Sequence, residues 1–224
     1  MLTSRKDIFE KLALDINHYS PVVIQGESGI GKSFFVRKLY GRLRKNGTIK
    51  DCKACYAWEF IDSMIEALCK KRMVDWKKEY LTADMIVIDD FQYIQGKVST
   101  AEELYQIFSS VKTPIIITTS LPICAEYFPN NDLVQLLNGG TYIQLNSPSH
   151  EDIEEFLRQQ IKEYNLHLSP KAYIWLTEQK INTFTMAKGI IKTLQLYCNC
   201  SDNITLIDCQ QLIKHLLHTE KEKI

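Results

Sequence analysis

The sequence has no excess of either charge. Its 224 residues include 27 Lys and Arg and 27 Asp and Glu, so the formal net charge at pH 7 is zero. A protein-wide positive field that would attract nucleic acid is therefore excluded. Any contact with nucleic acid must depend on a local patch.

Long apolar runs are also missing. No stretch approaches the roughly 20 apolar residues of a membrane-spanning helix, and the first residues carry charge. We therefore expect no secretory signal, no membrane contact and a cytoplasmic location. The seven cysteines are an odd number, which at that location favours reduced thiols over disulfides.

The metal-binding cysteine patterns are incomplete. Cys52-x-x-Cys55 is half of a zinc pattern, and no second pair follows at a suitable spacing. A second, irregularly spaced group comprises Cys198, Cys200, Cys209, His215 and His218. We interpret the cysteines as small buried side chains, and a structural metal is the less favoured alternative.

Short apolar runs alternate with longer amphipathic stretches. Strands are predicted at 21–25, 54–58, 85–89, 114–119 and 141–145, and helices at 7–17, 32–46, 59–71 and 100–111. Continuous β-branched runs are typical of parallel strands that are covered on both faces. The alternation predicts a doubly wound α/β fold, a five-stranded parallel sheet with helices on both faces.

The pattern changes at about residue 147. A turn cluster at 146–149 precedes four predicted helices, at 151–165, from 170, at 185–198 and at 206–218. Ser149 and Asp152 resemble a capping box, and Ser169-Pro170 places proline in a first helical turn. We therefore predict two domains, an α/β domain over 1–147 and a small helical lid domain over 148–224.

The strongest motif is Gly26-Glu-Ser-Gly-Ile-Gly-Lys-Ser33, which fits the phosphate-binding loop G-x-x-x-x-G-K-[ST]. A predicted strand enters it and a predicted helix leaves it, so backbone N–H groups and a helix N-terminus would surround phosphates. We expect Lys32 to reach the β- and γ-phosphates of ATP or ADP and Ser33 to bind Mg²⁺. The predicted nucleotide-binding residues here are Gly26, Glu27, Ser28, Gly29, Ile30, Gly31, Lys32, Ser33 and Phe34.

A second motif, Ile86-Val-Ile-Asp-Asp90, is an apolar strand that ends in two acids. This is the Walker B arrangement, about 55 residues after the phosphate-binding loop. Asp89 would hold magnesium through water, and Asp90 would orient or deprotonate the attacking water. Asp90 and Lys32 are therefore the predicted catalytic residues.

The Walker B run, continued by Phe91-Gln-Tyr-Ile-Gln-Gly-Lys97 and Thr100-Ala-Glu-Glu-Leu-Tyr105, resembles the AAA+ ATPase domain of the bacterial replication initiator DnaA. Residues 59–80 resemble the family's helical insertion, and 115–122 its sensor 1 strand. The resemblance spans about 20–217 and implies an AAA+ P-loop NTPase with a C-terminal lid. It also implies DnaA or other replication proteins as partners.

In architecture the chain is most similar to the short regulatory homologue Hda, because no helix-turn-helix domain follows the lid. We therefore expect no specific binding of duplex DNA. The clamp-binding peptide of Hda has no counterpart in residues 1–6.

Several family positions differ. The resemblance puts Ser120 at the sensor 1 acid and Lys188 at the sensor 2 arginine, and both are predicted to contact nucleotide. The family's arginine finger would lie in 132–140, which has no arginine, and none occurs from Met73 through Leu157. We therefore expect a slow ATPase with weak or no self-stimulated hydrolysis, even if a homo-oligomer forms.

Two other classes remain open. One is a helicase-loader or transposition-helper ATPase resembling the DnaC/IstB group, which shares both motifs but is less consistent with Phe91-Gln92 and Glu102-Glu103. The other is a scaffold that retains ADP without hydrolysis. For weak single-stranded DNA binding, the candidate residues are Lys70, Lys71, Arg72, Lys77, Lys78 and Lys97, around Trp76. A solvated helix face with a core tryptophan is the interpretation that we favour.

Overall fold

The structure is a computed structural model that describes residues 5–197 and 203–217, without the side chains of 214–217. The main sheet contains β1 (Val22–Gln25), β2 (Cys52–Tyr56), β3 (Met85–Asp89), β4 (Ile115–Thr119) and β5 (Thr141–Gln144), and a second pair contains β6 (His167–Leu168) and β7 (Asn203–Ile204). The helices are α1 (Arg5–Leu14), α2 (Ile16–Tyr19), α3 (Lys32–Lys45), α4 (Ala57–Cys69), α5 (Met73–Leu81), α6 (Val98–Ser110), α7 (Asn131–Asn138), α8 (His150–Glu163), α9 (Pro170–Thr177), α10 (Phe184–Tyr197) and α11 (Leu206–Leu217), with a 3-10 turn at Phe91–Ile94.

The five strands of the main sheet are parallel and lie in the order β2-β3-β4-β1-β5. Strands β3 and β4 are buried almost throughout, as expected where helices cover both faces. The predicted five-stranded parallel α/β fold is confirmed.

The register brings the carboxyl ends of the strands to one edge. Gln25 of β1 pairs with Thr119 of β4 and Gln144 of β5, and Tyr56 of β2 pairs with Asp89 of β3. In parallel α/β sheets, ligands bind at this edge. Both sequence motifs therefore lie where a binding site is expected.

Contacts divide the chain into two compact units. One contains the chain through Ser28 together with Lys32–Leu145, and the other contains Gly29–Gly31 together with the chain from Asn146 onward. The core of the second unit is formed by α8, α9, α10 and α11, with buried residues such as Leu157, Leu176 and Ile190. The division into functional domains at 147 stays a prediction.

The helix starts of the second unit follow their predicted caps. The Asp152 N–H donates to Ser149 Oγ over 3.1 Å, and the Ser149 N–H donates to Asp152 Oδ2 over 3.0 Å. Ser169 likewise caps α9, with Pro170 as its first residue. These caps satisfy N–H groups that a helix start leaves without partners.

The structure corrects two element boundaries. The predicted helix at 7–17 is interrupted, because Asp15 leaves the helix and accepts the His18 N–H as the cap of α2. The strand predicted at 54–58 lies two residues earlier, and Trp58 belongs to α4. Helix α4 begins at Ala57 because the Glu59 carboxylate, three residues after the cap residue Tyr56, accepts the Tyr56 N–H over 2.9 Å.

Helices α5 and α7 were not predicted from the hydrophobic pattern, because both are short. Helix α5 contributes to an aromatic cluster of Phe60, Trp76 and Tyr80, whose ring centroids lie 5.1 to 5.3 Å apart in edge-to-face pairs. The Trp76 indole N–H also donates to Ser63 Oγ over 3.0 Å. This cluster packs the 59–80 segment into the main core.

Replacing Phe60 by alanine should lower the free energy of unfolding by about 3–5 kcal/mol, because a fully buried ring is removed and a cavity remains. Tyr93→Ala is the control, since the Tyr93 ring is exposed, and should cost less than about 1 kcal/mol. Urea unfolding followed by circular dichroism measures both. Equal losses in the two variants would contradict the packing described.

Candidate functional site

The loop between β1 and α3 has the backbone shape that a phosphate-binding loop needs. Gly29 and Gly31 adopt φ angles of +81° and +95°, a region that residues with a Cβ rarely enter. The Gly26 N–H donates to the Thr119 carbonyl over 3.0 Å, which fixes the start of the loop to β4. The backbone conformation of the loop therefore explains why glycine occupies positions 29 and 31.

Lys32, the first residue of α3, is buried although it carries charge. Only 6% of its surface is exposed, and its Nζ donates to the carbonyl oxygens of Gly26 and Glu27 over 2.8 and 2.9 Å. Burial lowers the pKa of Lys32, while the nearby charges of Asp90 and Asp89 oppose that shift. A buried cation held at the start of this loop is suited to meet an anion.

Asp89 and Asp90 at the end of β3 are held by one hydroxyl group. Thr118 on β4 is fully buried, and its Oγ donates to Asp89 Oδ1. The same oxygen accepts the Asp90 N–H over 3.0 Å. Asp90 has a left-handed backbone, with φ +56°, which is uncommon for a residue other than glycine and is found at functional sites.

A second bridge links Asp90 to the end of β4. The Gln92 side-chain amide donates to Asp90 Oδ1 over 3.0 Å, and its Oε1 accepts the Ser120 N–H over 3.1 Å. Gln92 therefore orients the carboxylate of Asp90 and fixes the backbone at Ser120. Thr118 and Gln92 were not predicted as site residues. In the sequence Gln92 lies two residues after Asp90, and Thr118 lies two residues before Ser120.

Ser33 and Asp89 line the same cavity, which has a volume of about 280 Å³. Hydroxyl and carboxylate oxygens are the ligands that Mg²⁺ prefers. The two predicted metal ligands thus face a common space, and their chemistry fits the ion. The cavity continues between α3 and β2 past Arg37 and Tyr40.

Three further residues that were predicted to contact nucleotide have exposed side chains. Phe34 and Ser120 are exposed in the first unit, and Lys188 is exposed on α10 in the second. The nucleotide contacts of Ser120 and Lys188 remain predictions. Ile30 is buried within the loop.

The basic cluster around Trp76 does not offer an aromatic stacking surface. Trp76 is 6% exposed and belongs to the core. Lys70 pairs with Glu66, and Lys77 lies 2.6 Å from Glu103. The favoured interpretation, a solvated helix face with a core tryptophan, agrees with these contacts.

The cysteine patterns gain no support as metal sites. Burial raises the pKa of the Cys52 thiol to about 12 and that of Cys55 to about 11, which disfavours the thiolate that binds metal. Cys198, Cys200 and His218 lie outside the described residues. Within 5–197 and 203–217, no group of three metal-binding side chains occurs.

In the same ranges, no helix combines the length and the apolar character needed to cross a membrane.

A family sequence model and the curated relatives of this chain point to the same protein family. The sequence model described as "Bacterial DnaA ATPAse domain" matches residues 8–120. The chromosomal replication initiator protein DnaA of Oenococcus oeni is 23% identical over 209 residues, which is 92% of this chain and 46% of that protein. The chain therefore spans about half the length of the curated relatives that it matches.

Two solved structures share the fold. Domain III of the Thermotoga maritima replication initiation protein DnaA aligns with a TM-score of 0.84 at 18% identity, over 94% of this chain and 90% of that one. A replication initiator DnaA bound to AMPPCP and single-stranded DNA aligns with a TM-score of 0.72 at 22% identity, over 85% and 60%.

Replacing Thr118 by valine should weaken the magnesium-dependent part of nucleotide affinity by about 10-fold or more, because the group that orients a predicted metal ligand is lost. Thr119→Val is a matched control. Thr119 is equally buried, but its hydroxyl bonds to Leu121. Titrations of ADP with magnesium and with EDTA separate the two effects.

Thr118→Ser keeps the hydroxyl and should restore the magnesium dependence. If Thr118→Val and Thr119→Val lose magnesium dependence equally, the Thr118 hydroxyl has no special role at the acids.

Proposed function

The chain belongs to the bacterial DnaA ATPase domain family, and on that premise we propose that it binds ATP or ADP with Mg²⁺ and regulates or assists the initiation of chromosomal replication. The observation that carries the proposal is the buried ammonium of Lys32, bonded to the first two carbonyls of a loop with two left-handed glycines. A helix N-terminus with backbone N–H groups directed outward binds phosphate.

Lys32 would supply the charge and the loop would supply the donors for the phosphates. The Lys32 side chain is already largely withdrawn from water, so binding a phosphate would cost little further desolvation of its ammonium group. The N-terminus of α3 has no acid in its first turn that would repel a phosphate. The nucleotide-contact residues are those of the loop, with Ser120 and Lys188 as predicted sensors.

Magnesium would be held by Ser33 and, through water, by Asp89. When bound, such an ion neutralises charge on the phosphate oxygens. Asp90 would orient or deprotonate the attacking water, and Gln92 and Thr118 keep its carboxylate and its backbone in place.

Hydrolysis is proposed to be slow. AAA+ enzymes complete their site with an arginine from a neighbouring subunit, and such fingers are worth about 10³–10⁵ in rate in P-loop enzymes. Helix α7 covers most of the segment where the family's finger would lie. Its exposed side chains include Asp132, Gln135 and Asn138, and it has no arginine.

The partners proposed are DnaA or other replication proteins. The DnaA neighbour bound to AMPPCP and single-stranded DNA supports nucleotide binding and a replication setting for this chain as well. A helicase-loader function of the DnaC/IstB type is not favoured, because the matching family is that of DnaA. The division into a nucleotide-binding domain over 1–147 and a lid over 148–224 is part of the proposal.

Lys32→Ala should reduce the affinity for ADP with magnesium by at least about 100-fold, because a buried charge opposite the phosphates is lost. Lys45→Ala is the control, since Lys45 is exposed at the other end of α3. The affinity of this variant for ADP with magnesium should equal that of the wild type. Isothermal titration calorimetry measures both. A folded Lys32→Ala protein with wild-type affinity would refute the assignment.

The specific ATPase activity should stay flat as the protein concentration rises, because no arginine is available at the usual finger position. Steady-state phosphate release at several protein concentrations measures it. A steep rise that is lost on replacing one of the six arginines would identify a finger elsewhere in the chain.

A further inference from the structure

Helix α3 is strongly basic beyond the nucleotide-binding loop. After Lys32 it contains five cationic residues and no acidic residue, and its last turn holds three of the cations. All five side chains are exposed. They are Arg37, Lys38, Arg42, Arg44 and Lys45.

The five cations share one side of the helix. At 3.6 residues per turn they fall within an arc of about 160°. The opposite side carries buried residues that pack into the fold, Phe35, Val36, Leu39 and Leu43. From Arg37 to Lys45 the solvent-facing arc, here called the α3 basic face, consists of the five cations and Gly41. Phe34, which is 45% exposed, lies in the same arc three residues before Arg37.

The cations of the α3 basic face have no acidic partner among the described residues, where the ion pairs involve Lys53, Lys70, Lys77 and Arg158. Lys38 lies over the ring of Phe9, with its Nζ 5.6 Å from the centroid. The face thus keeps its full positive charge in a protein whose net charge is zero.

Gly41 lies within the arc of the α3 basic face. Glycine inside a helix costs about 1 kcal/mol relative to alanine. Here no neighbour requires it, because a Cβ at Gly41 would meet nothing within 4 Å. The bare backbone at this position leaves room for another molecule to approach the helix closely.

We propose that the α3 basic face binds the phosphodiester backbone of a nucleic-acid strand, independently of sequence. Three of its five cations are arginines, whose planar guanidinium group matches phosphate oxygens in two hydrogen bonds. From Arg37 to Lys45 the helix rises about 12 Å, close to the axial length of three to four phosphates along one strand of a duplex.

An acidic protein or a membrane fits the face less well. Protein interfaces depend on buried apolar or aromatic anchors, and membrane-surface helices insert an apolar side. Between Arg37 and Lys45 the face offers neither, apart from Gly41 and the aliphatic stems of the cations. The exposed aromatic ring in the same arc, Phe34, lies at the other end of the helix, next to the nucleotide-binding loop. From Arg37 onward, charge and close approach are the means of recognition that this face provides.

The part of the face from Arg42 to Lys45 is separable from the nucleotide site, whereas Arg37 lines the cavity that Ser33 and Asp89 share. Arg42 lies ten residues beyond Lys32, about 15 Å along the helix axis. Nucleic-acid binding should therefore survive Lys32→Ala, so failure of this proposal and failure of the nucleotide assignment give different results. Single-stranded DNA, duplex DNA and RNA all carry the required backbone and are compared directly.

The test uses fluorescence anisotropy with labelled oligonucleotides of each kind and the full chain, across a salt series. Simultaneous Arg42→Ala, Arg44→Ala and Lys45→Ala should weaken binding at least about 10-fold at low salt and reduce the slope of log K against log salt by about 2 to 3. Simultaneous Lys162→Ala, Lys171→Ala and Lys180→Ala is the control, because it removes the same charge from exposed lysines that no candidate site includes.

A second variant tests close approach without changing charge. Gly41→Leu should keep the helix, because leucine is a good helix former, and should weaken binding several-fold while thermal unfolding stays near that of wild type. Equal losses in the two triple variants would overturn the proposal in favour of net charge alone. Unlabelled oligonucleotide and polyglutamate are then compared as competitors for the labelled oligonucleotide. If polyglutamate displaces it as effectively per charge, the proposal is overturned in favour of an acidic protein partner.

Discussion

The buried ammonium of Lys32 is the constraint on which the candidate site depends. A charge that is withdrawn from water must be compensated, and here the compensation comes from two loop carbonyls and from the field of Asp89 and Asp90. Those acids are in turn fixed by Thr118, and Asp90 by Gln92. The loop, the end of β3 and the end of β4 therefore form one electrostatic unit at the carboxyl edge of the sheet.

The fold was largely predictable because its signals are local. Apolar runs with β-branched residues marked four of the five strands, whereas β2 has no β-branched residue and was predicted two residues late. Ser149 and Ser169 marked helix starts that the structure reproduces. The errors have local causes as well. Asp15 caps a new helix inside an apparently continuous one, and the Glu59 side chain starts α4 two residues earlier than the hydrophobic pattern indicated.

The candidate site was predictable only where a motif exists. Lys32, Ser33 and Asp89 could be identified from the spacing of two motifs, but Thr118 and Gln92 could not. Their roles depend on the register between β3 and β4, which pairs Ile88 with Ile117 and so sets Thr118 beside the acids. Sequence periodicity gives the strands but not this register.

Charge in this protein is unevenly placed, although its sum is zero. Among the described residues, the five exposed cations of α3 have no acidic partner, whereas Lys70 and Lys77 are paired with acids. The segment matched to the family's finger has no arginine. This distribution suits a protein that holds nucleotide and contacts an anionic polymer more than one that activates hydrolysis in a neighbour.

A crystal structure of the chain grown with ADP and magnesium would show where the phosphates bind. We expect phosphate density against the backbone N–H groups of residues 29–33 and the ammonium of Lys32, with a metal ion beside Ser33. Phosphates bound elsewhere, with Lys32 still bonded only to Gly26 and Glu27, would contradict this expectation.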